Sequence, residues 1–265
     1  MGATLGNNRR SAARTDYETH KPYTMALFSL FTGGGSGSGH AYPTDTITAA
    51  DGTVVTFTFF KHASLAIEVV GKHIYVDPVA EYAPYARLPK ADVVLVTHSH
   101  YDHFDRAAID DVTTRHSIIV CDKTSAEAFE GDCVTMVPGA VADPIPQVHI
   151  EAVAAYNTTD GHTGFHPKER EDCGYILTIA GLRIYIAGDT EDTPEVLALH
   201  DIDAAFLPVN QPYTMTVDQA VRAVKAIRPH IFYPYHYGEV DEKTDIDRLK
   251  RELEGVTDVR VFPME

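Results

Sequence analysis

Apolar positions recur with two different periods along this chain, and the change of period marks out its elements. Val54 to Phe60 alternates β-branched and aromatic residues with threonines, as a half-buried strand does. Leu65 to Val70, the turn Gly71-Lys72 and His73 to Val76 read as a hairpin ending at Asp77-Pro78. Val93 to Val96 is a short unbroken apolar run, which suits a buried strand. Val148 to Ala155 predicts another strand. Tyr175 to Ile179, Ala180-Gly181 and Leu182 to Ile186 predict a second hairpin running toward Asp189. Asp203 to Leu207 and Ile231 to Tyr235 continue as buried strands.

The period shifts to the helical one over Val217, Ala220, Val221, Val224 and Ile227. Thr216 and Gln219 ahead of them form a capping-box pair, and Pro229 supplies a stop. Asp105 to Arg115, a start at Thr193-Pro194, and Lys243 to Glu254 predict further helices. The two hairpins share their spacing, with Gly71, Ile74 and Tyr75 matching Gly181, Ile184 and Tyr185. That match hints at two related halves. Strands interleaved with helices predict an α/β (α+β) architecture of two mixed sheets between helix layers.

Residues 1–45 carry little pattern. Gly33 to Gly39 has the composition of a flexible Gly/Ser linker, and the folded domain is expected over 46–265, from Thr46 onward. The apolar run Met25 to Phe31 is too short to span a membrane. Arg9, Arg10, Arg14 and Lys21 precede it, so a targeting segment is the alternative to a plain extension; Asp16 and Glu18 weaken that alternative. The net charge of −16, with no long basic block, argues against a nucleic-acid partner. Three cysteines without a C-x-x-C pair argue for a reducing, cytoplasmic setting rather than a disulfide framework.

The chemistry is concentrated in Thr97-His98-Ser99-His100-Tyr101-Asp102-His103, directly after a buried strand. Imidazole and carboxylate suit zinc and related first-row ions. From extended backbone, His98 and His100 can point the same way, while Asp102 and His103 fall a turn later and can face a second ion. A polar loop with exposed histidines is the bland alternative.

This segment resembles the H-x-H-x-D-H signature of the metallo-β-lactamase superfamily. Three other segments resemble that family in the same order: Phe60 to Ser64 followed by Ile74 to Pro78, then Ile184 to Thr190, then Pro234 to Gly238. The likeness is closest to the branch of ascorbate-phosphate lactonase-like and phospholipase D-like proteins. It implies a four-layer αββα sandwich with the site at one edge of the sheets. It also implies one or two divalent ions, zinc first, with manganese or iron as alternatives. Carried over, His98 and His100 bind a first ion, Asp102, His103 and His236 a second, and Asp189 bridges them. Each of Asp189 and His236, taken alone, reads equally as a turn or loop residue.

One position departs from the family pattern. Where a third histidine is usual, the strand ends in Tyr156-Asn157. Asn157 fills the place with a weaker ligand, or His166 folds back to replace it, with His162 a lesser choice. His62 is a neighbour of the metal ligands or of substrate, and Tyr213, with Asn210, sits in a Pro-rich loop able to touch substrate. The implied activity is hydrolysis of a small ester, lactone or amide by metal-bound hydroxide, with Asp102 holding the metal and nucleophile. Phosphodiester hydrolysis, of phospholipase D type, is the alternative, and a non-catalytic metal-binding protein is a third reading. No G-x-S-x-G element points to a serine nucleophile.

Overall fold

The computed structural model describes residues 42–238 and 243–265. The Gly/Ser segment and the apolar run near the N-terminus lie outside the described residues. Among the described residues, no helix is long and apolar enough to cross a membrane.

The chain builds two seven-stranded sheets, one from each half, with the same plan. In the first, β1 (Thr44–Thr48), β2 (Val54–Lys61), β3 (Ser64–Val69) and β4 (Lys72–Val76) form an antiparallel meander. β5 (Val93–Val96), β6 (Ile118–Asp122) and β7 (Val134–Met136) then add in parallel. The second sheet repeats this order with β8 (Val141–Ile145), β9 (Val148–Ala154), β10 (Cys173–Ile179) and β11 (Leu182–Ile186) antiparallel. β12 (Ala204–Val209), β13 (Ile231–Tyr237) and β14 (Asp258–Val259) complete it in parallel. The two hairpins with matched spacing therefore occupy equivalent places.

Their turns are equivalent as well. Val70 and Gly71 have φ of 49° and 70°, and Ala180 and Gly181 have φ of 51° and 81°. Two successive positive values match the right-handed twist of the flanking strands. The first hairpin thus turns at Val70-Gly71, one residue earlier than the sequence pattern suggests.

The inner faces of the sheets meet in one apolar core, where Phe57 and Phe59 pack on Phe206 and Tyr233. α1 (Arg106–Val112) covers the outer face of the first sheet, burying Ile109 and Val112 against Val94, Val96 and Tyr75. α2 (Lys123–Ala126) and α3 (Pro194–Leu197) are single turns. α4 (Val217–Ile227) and α5 (Ile246–Glu252) pack on the second sheet through Ala220, Val224, Ile227 and Leu249. The result is the expected αββα sandwich.

Thr216 and Gln219 form the capping box of α4, as their spacing predicts. The helix ends on Arg228 in left-handed conformation, one residue before Pro229. α1 is shorter than expected: Thr113 closes it and its hydroxyl returns to the Ile109 carbonyl at 2.8 Å. Beta-branched Val112 and Thr113 favour that early stop. The charged helix near the C-terminus is likewise trimmed to Ile246–Glu252.

Candidate metal centre

β5 delivers the Thr97 to His103 segment to the edge of the first sheet. The segment turns sharply: the N–H groups of His103 and Phe104 both donate to the His100 carbonyl, at 3.0 and 2.8 Å. Asp105 then caps α1 by accepting from Ala107 N and Ala108 N, at 2.9 and 3.3 Å. The helix dictates where the turn must stop, and the turn brings His98, His100, Asp102 and His103 around a common space.

Asp77, directly after β4, fixes that turn from below. Its carboxylate accepts from Thr97 N at 2.8 Å, Thr97 Oγ1 at 2.7 Å and His103 Nδ1 at 2.8 Å. Both Asp77 and His103 are fully buried. With Nδ1 committed to Asp77, the lone pair of His103 is left on Nε2, which faces inward.

From the second sheet, β11 leads through Ala187-Gly188 to Asp189. Gly188 has φ of +64°, and a Cβ there would stand 3.0 Å from Thr97 Cβ, so glycine favours the close approach of the two loops. Asp189 sits at the middle of the imidazoles. Its Oδ1 is 3.2 Å from His103 Nε2. Its Oδ2 is 3.2 Å from His236 Nε2, 3.4 Å from His166 Nε2 and 3.9 Å from His98 Nε2.

The donor atoms fall into three overlapping groups, in each of which they lie within 4.8 Å of one another: His98, His100 and His166; His98, His103 and Asp189; and His62, Asp102, His103 and His236. The residues fit divalent ions on a directional test. His103 Nε2, Asp189 Oδ1 and His236 Nε2 are buried without a hydrogen-bond partner, although they lie close to one another. Their lone pairs converge on shared space instead of on each other, and buried polar atoms left so are costly unless something fills that space.

The charge balance is consistent with that geometry. Burial opposes ionisation of Asp189, yet His103 and His236 outweigh it and hold the carboxyl well below its ordinary range. Burial equally opposes protonation of His103 and His236, but Asp189 draws both upward, His236 to about 9. Burial, reinforced by the neighbouring His103, pushes His98 well below 6.5. His100 is lowered by burial and by His166. Burial works against the charge of Asp102, but the imidazoles of His236 and His62 beside it keep it ionised.

Asn157 and His166 are both near the centre, in different capacities. His166 Nε2 joins the donors, while its Nδ1 lies 3.7 Å from buried Asp172. Arg170 Nε holds Asp172 at 3.0 and 3.2 Å, and Arg170 Nη2 donates to Ser99 Oγ at 3.1 Å. The Asn157 side-chain N–H donates to the carbonyls of Tyr213 and His162, at 2.8 and 3.3 Å, so it ties two loops together. The Tyr213 ring packs edge-on against Phe165 at 4.8 Å. His62 Nε2 approaches Asp102 Oδ2 to 3.2 Å.

Three contributors carry no role in the sequence reading: Asp77, the Arg170–Asp172 pair and Glu191. Asp77 is flagged only by its place at the end of a strand and within the family-like segment Ile74 to Pro78, with no role attached. Glu191, two residues after Asp189, is fully buried. It accepts from the backbone and hydroxyl groups of Thr158 and Thr159 at 2.7 to 2.9 Å. No spacing rule signals that clamp.

Comparison with known proteins identifies the family. The sequence profile of the beta-lactamase superfamily domain matches residues 56–236, which span every donor from His62 to His236. A UPF0173 metal-dependent hydrolase of Thermoplasma acidophilum is 31% identical over 202 residues, 71% of this chain and 87% of that protein. A solved structure from Parabacteroides distasonis, named as a metal-dependent hydrolase, is 46% identical with a TM-score of 0.80, covering 84% of this chain and 100% of that one. The metallo hydrolase Igni18 of Ignicoccus hospitalis is 25% identical with a TM-score of 0.64, over 80% of this chain and 96% of that one. The chain therefore belongs to the beta-lactamase superfamily and, within it, to the UPF0173 family of metal-dependent hydrolases.

Proposed function

We propose that this metal-dependent hydrolase cleaves a small ester, lactone or amide at a two-ion centre. His98, His100 and His166 would hold the first ion, Asp102, His103 and His236 the second, with Asp189 shared between them. The observation that carries the reading is the convergence of unpartnered, buried donor atoms around Asp189. Zinc suits a set dominated by imidazole, and the relatives are named as metal-dependent. Bound there, such an ion supplies Lewis acidity, making water a competent nucleophile near neutral pH and offsetting negative charge that develops on oxygen.

The chain's own groups do the rest. Asp77 fixes the tautomer of His103 through Nδ1, and the Arg170–Asp172 pair steadies His166. Asp102 remains a carboxylate, an acceptor that orients the hydrogen of an attacking water by its free lone pairs. His98 and His100, kept uncharged by burial, each retain one ring nitrogen with a lone pair available to an ion.

The test is turnover on a panel of lactones, amides and phosphodiesters, with metal analysis of the same preparation and His100→Ala as control. Activity on lactones, esters or amides that vanishes in the variant supports the reading. Activity confined to phosphodiesters moves the substrate class, and absence of bound metal after reconstitution removes the mechanism.

A further inference from the structure

Two histidines at this centre adopt backbone conformations that side chains avoid. His62, in the turn between β2 and β3, has φ of 58°, and His236, at an irregularity late in β13, has φ of 47°. They are joined directly: the N–H of His236 donates to the His62 carbonyl at 3.0 Å. Their rings lie 3.7 Å apart between centroids. Glycine would occupy such a turn at lower cost, as it would at Val70, so what sets His62 apart is a use for its side chain.

The side chain's position supplies one. His62 Nε2 is 3.2 Å from Asp102 Oδ2, and His236 Nε2 is 3.7 Å from the same oxygen. The donors of His62, Asp102, His103 and His236 all lie within 4.8 Å of one another. Around one zinc ion, with bonds of about 2.0–2.2 Å, ligand atoms stand roughly 3.3 Å apart in a tetrahedron and about 4.2 Å apart across an octahedron. The separations of 3.2 and 3.7 Å match adjacent ligands of one ion, and none of the others exceeds 4.8 Å, so the four donors surround a space that one ion fills once the side chains draw in.

We propose that His62 is a direct ligand of the second metal ion, so that the turn after β2 contributes a metal-binding residue alongside Asp102, His103 and His236. The inference rests on the two-ion reading above. The competing role for His62 is that of a donor to Asp102, holding the carboxylate in place without touching the ion.

The test is titration of the chelator-stripped full chain with zinc and with cobalt(II), comparing wild type with His62→Gly and His62→Gln. Glycine accepts the positive φ, so the variant should fold, and thermal unfolding of the metal-free protein checks this. The expected result is two equivalents in the wild type, with the second weakened at least a hundredfold in both variants. The first should stay within about threefold, and the visible cobalt spectrum of the second site should change. Unchanged second-site affinity in His62→Gly overturns the proposal and leaves the two-ion reading standing. Recovery in His62→Gln to within about threefold of wild type overturns it in favour of the donor role. A wild type that takes up fewer than two equivalents overturns the proposal and the two-ion reading together.

Discussion

The backbone N–H of Asn157 donates to the carbonyl oxygen of His166 at 2.9 Å. The loop between β9 and β10 thus folds back so that a histidine pairs, main chain to main chain, with the residue standing where the family has its own. His166 is 2% exposed and its Nε2 faces Asp189 and the His98–His100 pair. On the proposed two-ion reading, the replacement for that ligand comes from across a loop, not from along the strand.

From this pairing, His166→Ala should lower occupancy of the first metal position by more than the roughly 10- to 100-fold typical of losing a supporting partner. Asn157→Ala should leave occupancy near wild type. It should cost about 1–2 kcal/mol of stability, because the carbonyls of Tyr213 and His162 lose a buried donor. Elemental analysis and thermal unfolding of both variants check this. Loss of metal in the asparagine variant with full retention in the histidine variant would reverse the assignment.

Asp77 offers a sharper test of the supporting residues. In Asp77→Asn the carbonyl oxygen can still accept from Thr97 N, but the amide N–H group then faces Thr97 Oγ1 and His103 Nδ1. His103 is pushed to the tautomer with its proton on Nε2, and that nitrogen is closed to a metal. Asparagine tolerates the φ of 43° at this position. Zinc affinity, read by competition with a chelating dye, should fall about 10- to 100-fold while the fold persists. Wild-type affinity in this variant would show that Asp77 acts only on the turn.

Much of this fold is legible because its strands announce themselves locally. The buried run Val93–Val96 and both hairpins follow from periodicity, and the capped helix Val217–Ile227 from its box. The weak strands Val134–Met136 and Val141–Ile145 are not legible, since both carry an exposed valine and the second also contains a proline, and the short run Ile118–Asp122 is not read as a strand either. Of the centre, His98 to His103 stand together in sequence and are read at once. His166 is read only as an alternative to Asn157, and Asp77 only as part of a family-like segment, because their contributions depend on loop closure and strand neighbourhood, which leave no spacing signal.

The start of the folded unit can be set by the contacts of β1. Asp45 Oδ2 accepts from Tyr233 Oη and from Arg260 Nη1, both at 2.8 Å, and the Pro43 carbonyl accepts from Phe59 N at 3.0 Å. Tyr42 packs edge-on against Phe60 at 4.9 Å. A chain beginning at residue 42 should therefore unfold at a higher temperature than one beginning at residue 46, by several degrees. The shorter chain loses a half-buried carboxylate bonded twice and the end of an edge strand, on the order of 2 kcal/mol. Equal unfolding temperatures would place the boundary at residue 46 or later.

Protons and metal compete for the same nitrogens. In the metal-free chain Asp189 draws His236 up to about 9 from its ordinary 6.5, against the opposing effect of burial, and raises His103 as well. A group raised on folding stabilises the fold fully below its unfolded value, and that contribution is lost as pH rises through the folded value. Stability of the metal-free protein owed to His236 should thus be present below about pH 6.5 and fade toward pH 9. A metal ion needs the unprotonated Nε2, so its binding releases protons across the same window, and affinity should rise about tenfold per pH unit for each proton displaced. The two trends run in opposite directions. Unfolding temperatures measured with excess chelator and with zinc at fixed free concentration should diverge between pH 6.5 and 9, the gap widening with pH. Calorimetric titration in buffers of different ionisation enthalpy should register the released protons at pH 7. A constant gap with no proton release would mean that His103 and His236 are already neutral beside Asp189, and that the carboxylate alone carries the charge of the empty centre.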